Sequence, residues 1–172
     1  STQIGGFSPA QVAVITTTQI PEIPADTIAA LSNDQLASLV RIQIRAMTVP
    51  QTTALTTSQI SSLTPTQVSS FTGAQVAAFT EEQFATFSPT QIGSFTIIQT
   101  NNFTPAEMTA LSPLQILGLT LDQVASFTTS QISYLSITQI ESLSAAQIGA
   151  LTTEQLDSMT PEQLEAVQNA IA

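Results

Sequence analysis

From Phe7 to Val167 every eighth residue is apolar, at all 21 positions, with no insertion or deletion. Three other columns keep step with it. The next residue is Ser or Thr at 18 of 21 positions, failing at Pro24, Val40 and Gln168. A Gln column running from Gln3 to Gln163 fails only at Thr27 and Glu107, and the residue after the Gln is apolar except at Thr52 and Thr100. Self-similarity at a fixed short period marks a solenoid, in which each unit is unstable alone and buries its apolar side on its neighbours. Apolar residues held at such intervals, with mean hydropathy +0.27, distinguish the chain from a disordered low-complexity tract.

The columns also select the local structure. In a strand the aliphatic after the Gln and the Phe or Leu three residues later would point to opposite faces. In one continuous α-helix, eight residues overshoot two turns by about 80°, so the apolar stripe would wind around the helix. Pro9, Pro65, Pro89, Pro105, Pro113 and Pro161 all stand just after the Ser/Thr column, where each would disrupt a helix interior. These features agree if every Ser/Thr is an N-cap. Pro then falls at the first helical position, where its missing N–H costs nothing. Gln falls at the third and completes a capping box, while pairs such as Leu63 and Val68 form a hydrophobic staple.

The expected fold is therefore an all-α solenoid of very short capped helices, one per eight-residue repeat, spanning residues 1–172 as a single domain. Helices of five to seven residues are unstable in isolation, so stacking and caps must supply the stability. Ile98 and Leu114 lie 16 apart in one column, and Leu121 and Ile137 in another; this spacing favours two helices per superhelical turn, with three as the alternative. Irregularity is expected at 21–24, where Pro21 and Pro24 leave their column. It is also expected at 39–48, where Val40 replaces a cap and two units are expected to fuse into one longer helix carrying Arg41 and Arg45 on an outer face. Leu164, Val167 and Ile171 read as a longer terminal helix over about 161–172.

Composition removes most chemistry. The chain has two basic residues, twelve acidic ones, no His and no Cys, and a net charge of −10, which argues against nucleic acid as a partner. Cys/His zinc sites, thiol nucleophiles and His-based triads are excluded within it, and the many Ser and Thr hydroxyls lack a usual base. No phosphate loop, EF-hand spacing or paired-carboxylate constellation occurs. No catalytic, cofactor-binding or metal-binding residue is assigned, no cofactor is expected, and no apolar run is long enough for a membrane span. The chain starts in mid-repeat without Met, as expected of one that is either processed or excised from a longer product. Outward positions carry stray apolar residues at Ile97, Ile98, Leu114, Leu117, Leu121, Tyr134 and Ile137, a candidate contact surface for self-association. Asn102-Phe103-Thr104 matches a glycosylation acceptor.

With "LTTSQISSL", "LTPTQVSSF", "LSAAQIGAL" and "LTTEQLDSM" in view, the chain resembles the octapeptide-repeat segments, [LF]-[ST]-x-x-Q-[IV]-x-x, of large secreted or surface-anchored bacterial proteins of adhesin type. The resemblance covers essentially the whole sequence and transfers no functional residue. It implies an extracellular structural or adhesive role at a bacterial surface: a spacer or filament-forming solenoid assembling end to end or laterally with itself. The alternative is a binding module that meets a repetitive ligand, a glycan, another cell-surface ligand or ice, through its outer face.

Overall fold

The computed structural model describes residues 6–170, in which all regular structure is helical. Helix α1 (Pro9–Ala13) is followed by a 3-10 turn at Ile20–Glu22, then α2 (Ala25–Ala29), α3 (Asn33–Ala37), α4 (Arg41–Ala46), α5 (Val49–Thr53), α6 (Thr57–Ser62), α7 (Pro65–Val68), α8 (Gly73–Val76) and α9 (Glu81–Ala85). The series continues with α10 (Pro89–Ser94), α11 (Ile97–Thr100), α12 (Pro105–Ala110), α13 (Pro113–Gly118) and α14 (Leu121–Ser126). It ends with α15 (Thr129–Ser133), α16 (Ile137–Glu141), α17 (Ala145–Gly149), α18 (Thr153–Asp157) and α19 (Pro161–Ala170).

Each helix starts where its cap stands. Thr64 is extended (φ −73°, ψ 156°); its hydroxyl accepts the Gln67 N–H at 3.2 Å, and its own N–H donates to Gln67 Oε1 at 3.1 Å. The same box opens α1, α3 and every helix from α5 to α18, with Glu107 in place of Gln in α12. Thr160 and Gln163 make it at α19. Many helices end at the apolar residue before the next cap, as at Leu63 (φ −60°, ψ 134°), which is extended rather than left-handed. No described residue has positive φ, so these helix ends need no glycine and are dictated by the following cap.

Departures from the columns have local causes. Thr16 and Gln19 still make a box, but Pro21 lacks the N–H that would extend the turn, and a 3-10 turn results. Pro24 precedes α2 with no side-chain cap bond. The units around Val40 do not fuse. Val40 is extended (ψ 166°) and separates α3 from α4, and Gln43 Oε1 accepts its N–H at 2.8 Å although no side-chain hydroxyl is there to reciprocate. The Gln half of the box suffices to break the helix. At the other end α19 is the longest described helix; Ile171, Ala172 and residues 1–5, including Gln3, lie outside the described residues.

Stacking follows a fixed rule. Each helix packs on the one three octapeptides away: α4 on α7, α7 on α10, α10 on α13, α13 on α16 and α16 on α19, with parallel series through α5–α8–α11–α14–α17 and α3–α6–α9–α12. The Gln column adds a second rule. From Gln35 to Gln163 every Gln Nε2 donates backward to carbonyls 28 to 31 residues earlier; Gln91, for example, reaches Ile60 O at 2.8 Å and Leu63 O at 2.9 Å. Those carbonyls end the helix four repeats back: Leu63 O lies past the last helical bond, where a C=O lacks a helical partner, and Ile60 O takes the amide beside the Leu63 N–H it already accepts at 3.1 Å. One side chain thus caps the start of its own helix and the end of another, and a turn takes between three and four octapeptides. The two-helix turn favoured by the 16-residue spacings is not formed.

The core is a thread along the axis. The two apolar columns are buried through the regular part, as at Ile60, Val68, Phe84, Ile92 and Ile132, and become half-buried at Leu156 and Leu164 near the C-terminal end. Between Phe71 and Phe103 the pre-cap column is all Phe, and successive rings meet edge to face with centroids 5.2 to 5.3 Å apart. Phe84 touches three of them from the second column. Such pairs add about 0.5–1.5 kcal/mol each beyond burial. The accessible surface is 8108 Å² for 18.1 kDa, and a compact monomer of that mass exposes about 8,100 Å². The turns are therefore closely stacked. Between α10 and α13 the backbones nearly touch: a Cβ on Gly93 would lie 2.5 Å from Gly118 O, and one on Gly118 would collide with the Pro89 backbone.

Candidate functional site

The repeated polar groups face inward. Every Gln from Gln35 to Gln163 is buried, with both amide atoms bonded to backbone, and the Ser/Thr hydroxyls of the boxes accept backbone N–H groups. Sequence reasoning assigned Gln to capping alone and missed the bond across the turn. The signal was present: a capping box accepts Glu as readily as Gln, yet the column uses Glu once in 21 positions, which points to a need for the amide donor.

That one Glu is the anomaly of the interior. Glu107 is 2% exposed; Oε2 accepts the Thr104 N–H at 2.6 Å, and Oε1 is buried without a partner. Burial, only partly offset by the bonds to Thr104, pushes its carboxyl from 4.5 up to about 7.

What remains outside is the variable positions. Ile97, Ile98, Leu114, Leu117, Leu121, Tyr134 and Ile137 are all exposed, Ile98 most at 75%. Ile97, Ile98 and Leu121 belong to the stacked helices α11 and α14, and Leu114, Leu117 and Ile137 to the stacked helices α13 and α16, while Tyr134 follows α15. They thus sit on two stacks and a neighbouring corner, with no single helix carrying them all. Asn102 of the acceptor triplet donates Nδ2 to Ile98 O at 2.7 Å, and Thr104 caps α12, so both polar residues of that motif already have intrachain partners.

Arg41 and Arg45 stand one turn apart on α4, exposed, and no ion pair with Asp26, Asp34 or any other acid forms among the described residues. Both line a cavity of about 250 Å³ together with Ser69, Phe71, Thr72, Gly73, Thr96, Ile98 and Gln99. A second, hydroxyl-rich cleft of about 330 Å³ is lined by Thr53, Thr56, Thr57, Thr80 and Glu82, among others. Among the described residues no cluster of three or more acidic, His or Cys side chains is arranged to hold a metal ion, and no helix is long and apolar enough to cross a membrane.

Fold and surface together define an all-α octapeptide solenoid whose repeated polar groups bond to its own backbone. Compared with known proteins, no family model matches the chain and no curated protein matches it.

Proposed function

We propose that this chain is a structural repeat protein: a closely stacked solenoid that extends or assembles at a bacterial surface, outside the cell, by contact between copies, without enzymatic activity. The observation that carries this reading is the inward use of the repeated groups. Twenty-one octapeptides on one plan would be an economical way to display a recurring ligand-binding motif, yet the recurring Gln amides and cap hydroxyls are engaged by backbone. What recurs is what builds the array. The exposed aliphatics on the α11–α14 and α13–α16 stacks supply apolar area for lateral contact, of the kind that marks interaction sites. Electron microscopy and multi-angle light scattering on the purified chain should find concentration-dependent assemblies, weakened by Ile98→Asp with Leu114→Asp; a strictly monomeric particle at high concentration removes the assembly reading.

A second reading, a binding module, is favoured by one feature: the cavity beside Arg41 and Arg45. Two unpaired guanidinium groups in a chain of net charge −10 suit a carboxylate or sulfate group on a surface glycan, since the guanidinium fork matches planar oxyanions. A glycan array containing uronic and sulfated sugars tests it. Binding lost in Arg41→Gln with Arg45→Gln supports the module, and no binding to any anionic glycan removes it; a glycan or ice surface met through the cap hydroxyls is disfavoured by their engagement inside.

A further inference from the structure

At the sixteen other positions of the Gln column from Gln35 to Gln163 an amide donates back across the turn. Gln99, one octapeptide before Glu107, donates Nε2 to Val68 O at 2.9 Å and Phe71 O at 2.7 Å; Gln115, one after, donates to Phe84 O at 3.0 Å and Phe87 O at 2.9 Å. The same register assigns Val76 O and Phe79 O to residue 107; Val76 O accepts the Phe79 N–H at 3.1 Å, and the second donor that an amide brings elsewhere is missing. Among the described residues no side chain donates to either carbonyl. Glu107 therefore brings an unpartnered carboxyl oxygen to a position where the fold offers only acceptors. A carboxylate there sets acceptor against acceptor in a site closed to solvent, which is costly. A carboxylic acid has an O–H donor and restores the missing bond.

We propose that Glu107 is a proton-gated joint: it holds a proton in the folded solenoid, tying α12 to the 76–79 corner as Gln does elsewhere, and loss of that proton loosens this one turn. The upward displacement of its carboxyl to about 7, caused first by burial, agrees with that geometry. No other ionisable group dominates the site. The segment 72–80 carries none; α9, on which α12 packs, carries Glu81 and Glu82, and α16, whose Gln139 bonds the α12 end at Met108 O and Leu111 O, carries Glu141, all three exposed. These acids add no countercharge that would favour ionisation.

The sign follows from linkage. An acid whose pKa is raised by folding stabilises the fold fully below its ordinary value of 4.5, and that contribution is lost as pH rises to about 7. Denaturant unfolding of the wild-type chain and of Glu107→Gln across pH 4 to 8 tests the proposal. The ratio of their unfolding constants should rise about tenfold per pH unit between those two values and then level off. Carbon-13 carboxyl NMR of the wild-type chain should place the Glu107 midpoint near neutrality. Parallel pH profiles for the two proteins, or a Glu107 titration at the ordinary carboxylate position, overturn it; the second result would mean that water, and no proton, bridges the acceptors.

Discussion

The stretch from Thr16 to Met47 and the turns from Thr56 to Met159 are written in the same octapeptides but held together differently. In the later turns every helix has a hydroxyl cap, and its Gln, except at Glu107, crosses the turn. In the earlier stretch one unit is a 3-10 turn, Pro24 and Val40 replace caps, and Thr27 replaces the amide. The fold survives there because the apolar columns persist: Ile20, Ile28, Leu36 and Ile44 are as buried as their later counterparts. Apolar burial thus holds the path of the chain whether or not the box is complete: α2 forms without a side-chain cap bond, and the unit at Pro21 is a 3-10 turn although its box is made.

That difference can be probed most strongly through the core. Phe84→Ala, which empties a site touching Phe87, Phe95 and Phe103, should cost about 3–5 kcal/mol in urea unfolding. Ile20→Ala should cost less, because the weakly capped end can open without the rest; an equal loss at the two sites would mean that the array unfolds as one block. Next in size is Gln91→Ala, which orphans the Ser88 N–H and the buried Leu63 carbonyl and strips Ile60 O of one of its two donors, and should cost about 2–4 kcal/mol. Hydrogen exchange should localise that loss to the turn containing Leu63 and Ile92, and uniform loss of protection along the chain would count against separable turns.

Glycine offers a paired test of how tightly the later turns stack. Gly118→Ala meets the Pro89 backbone and should lower stability by about 1–3 kcal/mol, whereas a Cβ on Gly149 meets nothing within 4 Å. Gly149→Ala should be neutral or slightly stabilising through helix propensity. Similar melting temperatures for the two variants would contradict the close approach of α10 and α13. The smallest effect is a repair: Val40→Thr supplies the missing hydroxyl half of a box whose Gln half is already formed, and should add about 0.5–1 kcal/mol. No gain in thermal midpoint would show that the extended Val40 backbone cannot present a hydroxyl to Gln43 N–H.

Capping was legible in sequence because it is local: Thr64, Pro65 and Gln67 lie within four residues, and their offsets alone define cap, first turn and box. The number of helices per turn was not. Ile98, Leu114, Leu121 and Ile137, whose spacing favoured two, all point outward, so they carry no information about packing between turns. The residue that does carry it is Gln, through an amide whose acceptor lies 28 to 31 residues away. The outer surface was legible as a set of exposed residues but not as an arrangement, since the cavity joining Arg41 to Thr72 and Thr96 exists only once the pitch of the solenoid is fixed.

The constant reach of the Gln amide bears on how such a chain changes over generations. Removing or duplicating one whole octapeptide returns each later Gln to carbonyls of the same kind at the same distance, so unequal recombination between repeats leaves a foldable product. Slippage by any number of residues that is not a multiple of eight breaks every bond that spans the event. Length can then drift in steps of eight while the helical unit stays fixed, and a lineage can tune how far the array extends without redesigning how it folds.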